Sequence, residues 1–439
     1  MTRRELARAA AVLATGGWVS TPLFASSAST STSQIREHDW HTQFPALAQR
    51  VNGQRLVYLD NAATTQRPEP VLRALLDFYR QDNANPGASL HALARRSYER
   101  YEAARATVAG FINAPHAEEI VWVRGTTEGN NLVASAWGRA NLHRGDEILL
   151  TLAEHASNLL PWRIVADQVG AIVRYVDVDD EGRLRLADLD RKLSERTRLL
   201  AFSHVSNVVG FINPAAEICA RARRAGARIL IDAAQSAPHV PIDVRTLGCD
   251  FLTFSSHKMM GPMGVGVLWA RREILEEMPP YQSGSNMAHD IDVNAYQCEH
   301  AARKFGAGTP NVSGAIGLAA AVSYMNELGR DAIAEHEQSI TAYALERLGE
   351  VPGLRLLGPR SAARRIPVFS FTHDGHTPQA TMQALDARGI AIRAGDLAAL
   401  PLLKRLGVTA AARASCYFYT RKSDIDRFAE TLCFSRRAS

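Results

Sequence analysis

The stretch Phe251-Leu252-Thr253-Phe254-Ser255-Ser256-His257-Lys258-Met259-Met260-Gly261-Pro262-Met263-Gly264 reads as a short apolar strand that stops at polar residues and then turns through glycines. An apolar run of this length suits a strand covered on both faces. The same unit recurs outward from it. On the N-terminal side, strands are expected at about 119–123, 147–151, 172–176, 199–203 and 228–232, separated by helices at about 127–140, 158–169, 186–193 and 214–225. A strand at about 264–269 follows on the other side. This alternation predicts an α/β fold with a mainly parallel sheet covered by helices, and ligands at the carboxyl ends of its strands.

Further out, a strand at about 56–60 precedes a helix that Pro68 opens and that reaches about residue 80. From about residue 313 a long helix leads into strands near 366–371, 390–393 and 413–417, a helix at 377–388 and a last helix from 423. The expected organisation is a large ligand-binding domain over about 56–312 and a smaller C-terminal α/β domain over about 313–439. Residues 29–55 are expected to be a linker and N-terminal segment, and residues 1–28 an export signal. That signal places Arg3-Arg4 before an Ala/Val/Leu stretch from Ala9 to Ala14, then Gly16-Gly17-Trp18-Val19 and small residues at Ala25 and Ala28. The order resembles a twin-arginine signal, which predicts a periplasmic or secreted protein that uses the twin-arginine export machinery. No other segment approaches the roughly 20 apolar residues that span a bilayer, so stable membrane insertion is not expected.

The 439 residues carry a formal net charge of +5. Basic runs at 360–365 and at Arg436-Arg437 are short and not interleaved with aromatics, so nucleic acid is not an expected partner. Five cysteines lie far apart without a CxxC pair or a Cys/His cluster, which predicts neither a metal site nor a disulfide framework. Only five of the 50 basic residues are lysines: Lys192, Lys258, Lys304, Lys404 and Lys422. Four sit beside other charges in polar stretches. Lys258 alone lies just past an apolar strand with no carboxylate near it in sequence, where an amine is placed to react rather than to be solvated.

Other polar residues fall at strand ends in the same way. Gly125-Thr126-Thr127 opens a helix after a strand and offers backbone N–H groups and hydroxyls to a phosphate. Asp232 ends the apolar run Ile229-Leu230-Ile231, where a buried acid costs several kcal/mol unless a cation meets it, such as a protonated pyridine nitrogen. Gln235 could reach a phenolic oxygen on the same ring, His155 could stack on it, and Asn207 is similarly placed. Together these groups suit a phosphorylated pyridine aldehyde.

The ensemble resembles the class V aminotransferase superfamily, and within it the cysteine desulfurase and selenocysteine lyase group of the sulfur-mobilising type. The matching stretches are Tyr58-Leu59-Asp60-Asn61-Ala62-Ala63, Arg124-Gly125-Thr126-Thr127-Glu128, Glu154-His155, His204-Val205-Ser206-Asn207, Asp232-Ala233-Ala234-Gln235, Ser255-Ser256-His257-Lys258, Ala307-Gly308-Thr309-Pro310-Asn311 and Arg413-Ala414-Ser415. They run from about residue 56 to the end. The resemblance implies fold type I, pyridoxal 5′-phosphate held as a Schiff base on Lys258, an amino-acid substrate and a homodimer. It implies Asp232 on the pyridine nitrogen, His155 stacked on the ring, and Asn207 and Gln235 near the ring oxygen. Thr127, Ser255 and His257 would bind phosphate, with Thr309 contributing from the partner subunit. Arg413 would clamp the substrate carboxylate in bidentate fashion, with Arg393 a second candidate.

Desulfurases of this group carry a nucleophilic cysteine in a segment reading Arg-x-Gly-His-His-Cys-Ala-x-Pro-Leu. Here the matching segment is Arg393-Ala394-Gly395-Asp396-Leu397-Ala398-Ala399-Leu400-Pro401-Leu402, which sets Ala398 at the cysteine position. A methyl group cannot attack a substrate sulfur or carry a persulfide. Gly306 also stands where an acid is common, and Ser283-Gly284-Ser285-Asn286 replaces a run of glycines. Cys416, three residues after Arg413, falls on an expected buried strand and reads as packing. The expected activity is therefore carbon–sulfur β-lysis of a cysteine derivative, with Lys258 removing the Cα proton. The alternatives are a transaminase or tailoring enzyme on a periplasmic amino-acid metabolite, a true desulfurase using a non-standard cysteine, and a non-catalytic binding protein on the same fold.

Overall fold

In the computed structural model, which describes residues 40–434, the apolar runs pair into one seven-stranded sheet. Its strands are β1 (Ile120–Val123), β2 (Glu147–Thr151), β3 (Ile172–Val176), β4 (Thr197–Ser203), β5 (Arg228–Asp232), β6 (Phe251–Ser255) and β7 (Gly266–Ala270). The spatial order is β1-β7-β6-β5-β4-β2-β3. Strands β2 to β6 pair in parallel, while β7 runs antiparallel to both β1 and β6. Every residue of β2, β6 and β7 is buried, which is why these runs show no polar alternation. The edge strand β3 does alternate, with Ile172 and Arg174 exposed.

The connecting helices include α1 (Glu69–Asp77), α2 (Ala92–Phe111), α3 (Thr126–Leu132), α4 (Leu160–Val169), α5 (Leu186–Lys192) and α6 (Ala215–Arg224). Helix α4 stops at Gly170, whose φ of 76° continues the chain in the left-handed region. Helix α2 was not expected. Half of its buried positions are small, Ala94, Ser97, Ala104 and Ala109, and the helix is interspersed with arginine and glutamate, so no broad apolar stripe marks it. It packs on α7 (Val312–Leu328), which Asn311 caps by accepting from the Gly314 N–H. Helix α8 (Arg330–Gly349) follows at once.

A second sheet of four antiparallel strands comprises β8 (Leu354–Leu357), β9 (Val368–His373), β10 (Arg393–Gly395) and β11 (Ala411–Ser415), in the order β8-β9-β11-β10. Helices α9 (Pro378–Asp386) and α10 (Lys422–Phe434) complete this part. The strand expected at 390–393 is two pieces. Ile390–Ala391 pairs in parallel with Val57–Tyr58, and the chain then changes partner so that Arg393–Gly395 joins β11. Ile390 and Ile392 are both buried across the switch, so the sequence shows one continuous pattern.

The region 29–55 is described from residue 40 onward, and residues 40–55 are packed against the body of the protein. Trp40, Phe44 and Leu47 are buried in the main core, with Trp40 edge-on to Phe418 at 5.3 Å. Arg50–Val51 and Gln54–Arg55 form a hairpin across Asn52-Gly53, both at positive φ. The export signal expected at 1–28 lies outside the described residues. Among the described residues no helix is long and apolar enough to cross a membrane.

Candidate active site

The carboxyl ends of β1, β2, β4, β5 and β6 open on one edge of the large sheet, where they bound a cavity of about 440 Å³. Its lining includes Thr126, Thr127, His155, Asn207, Asp232, Gln235, Ser255, His257, Lys258, Arg393 and Arg413. Thus eleven of the twelve residues singled out by sequence meet in one space. The twelfth, Thr309, is exposed and does not line it.

Lys258 stands on the short turn after β6. Burial lowers its pKa to about 8, against the pull of Asp232. Asp232, at the end of β5, is 5% exposed, and one of its carboxylate oxygens accepts from the Ala234 N–H at 2.9 Å. Burial raises its pKa, and among the described residues no cation lies within ion-pair distance of it. Asn130 helps hold this carboxylate and is itself fixed by a 2.8 Å bond from the Thr253 hydroxyl. His155 accepts from the Ser157 N–H through Nδ1 at 3.1 Å, and burial followed by the Lys258 charge lowers its pKa to about 4. The His257 pKa is lowered to about 4 for the same reasons. Both rings are therefore neutral near pH 7.

The phosphate-type groups cluster at the start of α3. Ser255 Oγ accepts from the Thr126 N–H at 2.8 Å, and the Thr127 and Ser157 hydroxyls are 2.7 Å apart. Strand β7 presses on this turn: a Cβ at Gly266 would come within 2.6 Å of both Gly125 Cα and the Phe254 carbonyl. Glycine is required there by close approach.

Arg413, on β11, is 3% exposed and donates to the Asn207 carbonyl at 3.0 Å, leaving its Nε without a partner. Arg393 is turned onto Asp60, with Nη2 at 2.7 Å and Nε at 3.2 Å, so much of its fork is already occupied. Asp60 lies 3.7 Å from Arg413 as well. It therefore positions both arginines, a role its sequence neighbourhood did not suggest. Asn207 spends its side-chain N–H on the Leu397 carbonyl at 2.9 Å, and Gln235 spends its own on the Ala62 carbonyl at 2.8 Å. Gln235 Oε1 is buried and unpartnered.

The segment 396–399 forms a tight turn at the cavity wall. Leu397 and Ala398 both have φ of 52°, and the turn is held by Ala156 N–H on the Ala398 carbonyl at 2.7 Å and by Ala398 N–H on Asp396 Oδ1 at 3.0 Å. None of the five cysteines lines the cavity. Cys416 is 2% exposed in the apolar cluster beneath the small sheet, and burial raises its pKa well above the ordinary thiol range. Lys304, expected in a polar surface stretch, is buried and caps a helix end by donating to the carbonyls of Leu275, Glu276 and Met278 at 2.8–3.0 Å. Its sequence neighbours Arg303 and Phe305 gave no sign of those carbonyls.

The model of the aminotransferase class-V family matches residues 57–428. The chain belongs to the class V aminotransferase family. Within it the chain is 45% identical over 398 residues to a probable cysteine desulfurase of Halalkalibacterium halodurans, covering 91% of this chain and 97% of that one. The fold superposes on the cysteine desulfurase CsdA of Escherichia coli with a TM-score of 0.83 at 38% identity, covering 91% of this chain and 98% of that one. A cystine C–S lyase solved with its product cysteine persulfide gives a TM-score of 0.77 at 25% identity, covering 89% and 99%. This member of the class V aminotransferase family is a cysteine desulfurase-like enzyme of the α/β type that uses pyridoxal 5′-phosphate. Its residues fit that group. The cavity is of cofactor size, the buried Asp232 carboxylate lacks the cation that a protonated ring nitrogen supplies, and Gln235 Oε1 and Arg413 Nε lack partners.

Proposed function

We propose that this enzyme is a carbon–sulfur β-lyase acting on a cysteine derivative. The observation that carries the reading is that no cysteine lines the cavity, while the lysine, acid and arginine set is present there. When bound, pyridoxal 5′-phosphate withdraws electrons from the substrate's Cα and so permits a Cβ substituent to leave with its bonding pair. Lys258 would hold the cofactor, and its amine, with a pKa near 8, suits taking the Cα proton. Asp232 would keep the ring nitrogen protonated, and His155, neutral near pH 7, would pack against the ring. Thr126, Thr127, Ser255 and His257 would hold the phosphate, and Asn207 and Gln235 would line the space beside the ring while their side-chain N–H groups stay on the Leu397 and Ala62 carbonyls. Arg413, steadied by Asp60 and the Asn207 carbonyl, binds the substrate carboxylate.

The products are a thiol, pyruvate and ammonia. Incubation of purified enzyme with a panel of cysteine conjugates and identification of products tests this. Stoichiometric pyruvate and thiol support it; alanine with enzyme-bound persulfide overturns it in favour of the second reading, a true desulfurase, which the names of the relatives favour. Loss of that persulfide in Cys416→Ser would then identify the acceptor. The proposal includes a homodimer, in which exposed Thr309 reaches the partner's phosphate site, and export through the twin-arginine machinery. Light scattering and cell fractionation test these two parts.

A further inference from the structure

The active-site cavity abuts a second hollow of about 430 Å³, and Asp396 and Ala398 line both. The second hollow is walled by Leu152, Leu159, Leu160, Tyr175, Leu400 and Pro401, and its charged lining residues are Arg163 and Asp396. Leu160 is 57% exposed although its neighbour Trp162 is fully buried, so the start of α4 leaves a leucine uncovered at this spot. The common boundary is the turn at Ala398. Its carbonyl accepts from the Ala156 N–H and the Leu397 carbonyl accepts from Asn207, so this backbone is held on both sides, and at Ala398 it presents only a methyl group to the two spaces that Asp396 and Ala398 both line.

We infer that the second hollow receives the sulfur substituent of the substrate, an apolar chain or ring of several carbons, and that Ala398 admits it. The inference rests on the lyase reading and adds the substrate class. With Arg413 and Lys258 fixing the carboxylate and Cα, the Cβ substituent leaves the cavity past Ala398. The reaction balances without an oxidant. The Cα–H and Cβ–S bonds break, the sulfur keeps its electron pair and gains a proton as the free thiol, and one water converts the remaining enamine to pyruvate and ammonia. Leu152, Leu159 and Tyr175 then offer the leaving group an apolar surface.

The test compares S-methyl-cysteine with S-benzyl-cysteine on the holoenzyme and on Leu160→Asp, measuring thiol and pyruvate. The wild type is expected to favour the benzyl conjugate by about tenfold or more in kcat/KM. Leu160→Asp is expected to lose that preference and keep its turnover of the methyl conjugate, because Leu160 lines the second hollow and not the cavity that Lys258 and Arg413 line. Calorimetric binding of S-benzyl-α-methylcysteine, which has no Cα proton to lose, is expected to weaken about tenfold in the same variant. Ala398→Phe should exclude the benzyl conjugate. Equal turnover of both conjugates by the wild type, or a parallel loss of both in Leu160→Asp, overturns the inference and leaves the lyase reading standing. Cleavage of neither conjugate overturns the lyase reading itself.

Discussion

Lys258 and Lys304 show how differently one residue type behaves when buried. Lys304 donates to three carbonyls, whereas Lys258 has no such partners and is held near pKa 8 by burial. A lysine whose folded pKa lies below its unfolded value near 10.4 binds its proton less tightly when folded. The unfolded chain then carries more protons between those two values, so stability rises with pH through that window and the cost is greatest below about pH 8. Cofactor-free Lys258→Met is therefore expected to melt higher than the cofactor-free wild type at pH 7, with the gap narrowing as pH rises toward 10. Thermal melts across that range check it; a constant gap would count against the assigned environment. Asp232→Asn removes the negative charge that a protonated ring nitrogen requires. It is expected to retain the fold and lose on the order of a hundredfold or more in kcat, and a variant of undiminished kcat would remove Asp232 from that role.

Among the elements, β7 constrains the Gly125 turn through backbone atoms on both sides. Gly266→Ala places a methyl against backbone atoms on both sides, and backbone cannot swing aside as a flexible side chain does. A loss of about 1–3 kcal/mol in stability is expected, together with weaker capture of pyridoxal 5′-phosphate, read by denaturant titration and by equilibrium dialysis. If only stability falls, the turn does not hold the phosphate. The turn at 396–399 is the second such element. Asn207 was expected at the ring oxygen, and it does line the cavity, yet its N–H group anchors this turn. Asn207→Ala is accordingly expected to lower kcat/KM for cysteine conjugates while leaving cofactor binding measurable by its visible absorption.

At the scale of the whole molecule, the segment from Trp40 to Leu47 is part of the core. Trp40, Phe44 and Leu47 pack beside Phe418 and Tyr419, which follow β11 and the site residue Arg413. A chain beginning at residue 56 is expected to be insoluble or to melt far below one beginning at residue 39, and Trp40→Ala alone to cost about 3–5 kcal/mol. Comparable melting of the two truncations would contradict this packing. The sequence offered no element here because the segment is two short turns and a hairpin, without enough length for a repeating pattern.

Local pattern determined much of this protein. Short apolar runs buried on both faces, each ending in a polar residue, specify a mainly parallel sheet with a site at its edge, because burial and strand length are recorded in neighbouring residues. Nine of the eleven site residues in the cavity follow the same rule, since each terminates or follows such a run, whereas Arg393 and Arg413 lie on the small sheet and were indicated only by the family resemblance. Tertiary structure alone decided the rest. Asp60 and Arg393 are 333 residues apart, and Asn207 and Leu397 are 190 apart, so their bonds leave no periodic trace along the chain. The same holds for the two hollows that meet at Ala398: their walls come from α4, from the strand-end segment at 152–156 and from the turn before Leu400, and only folding sets these side by side.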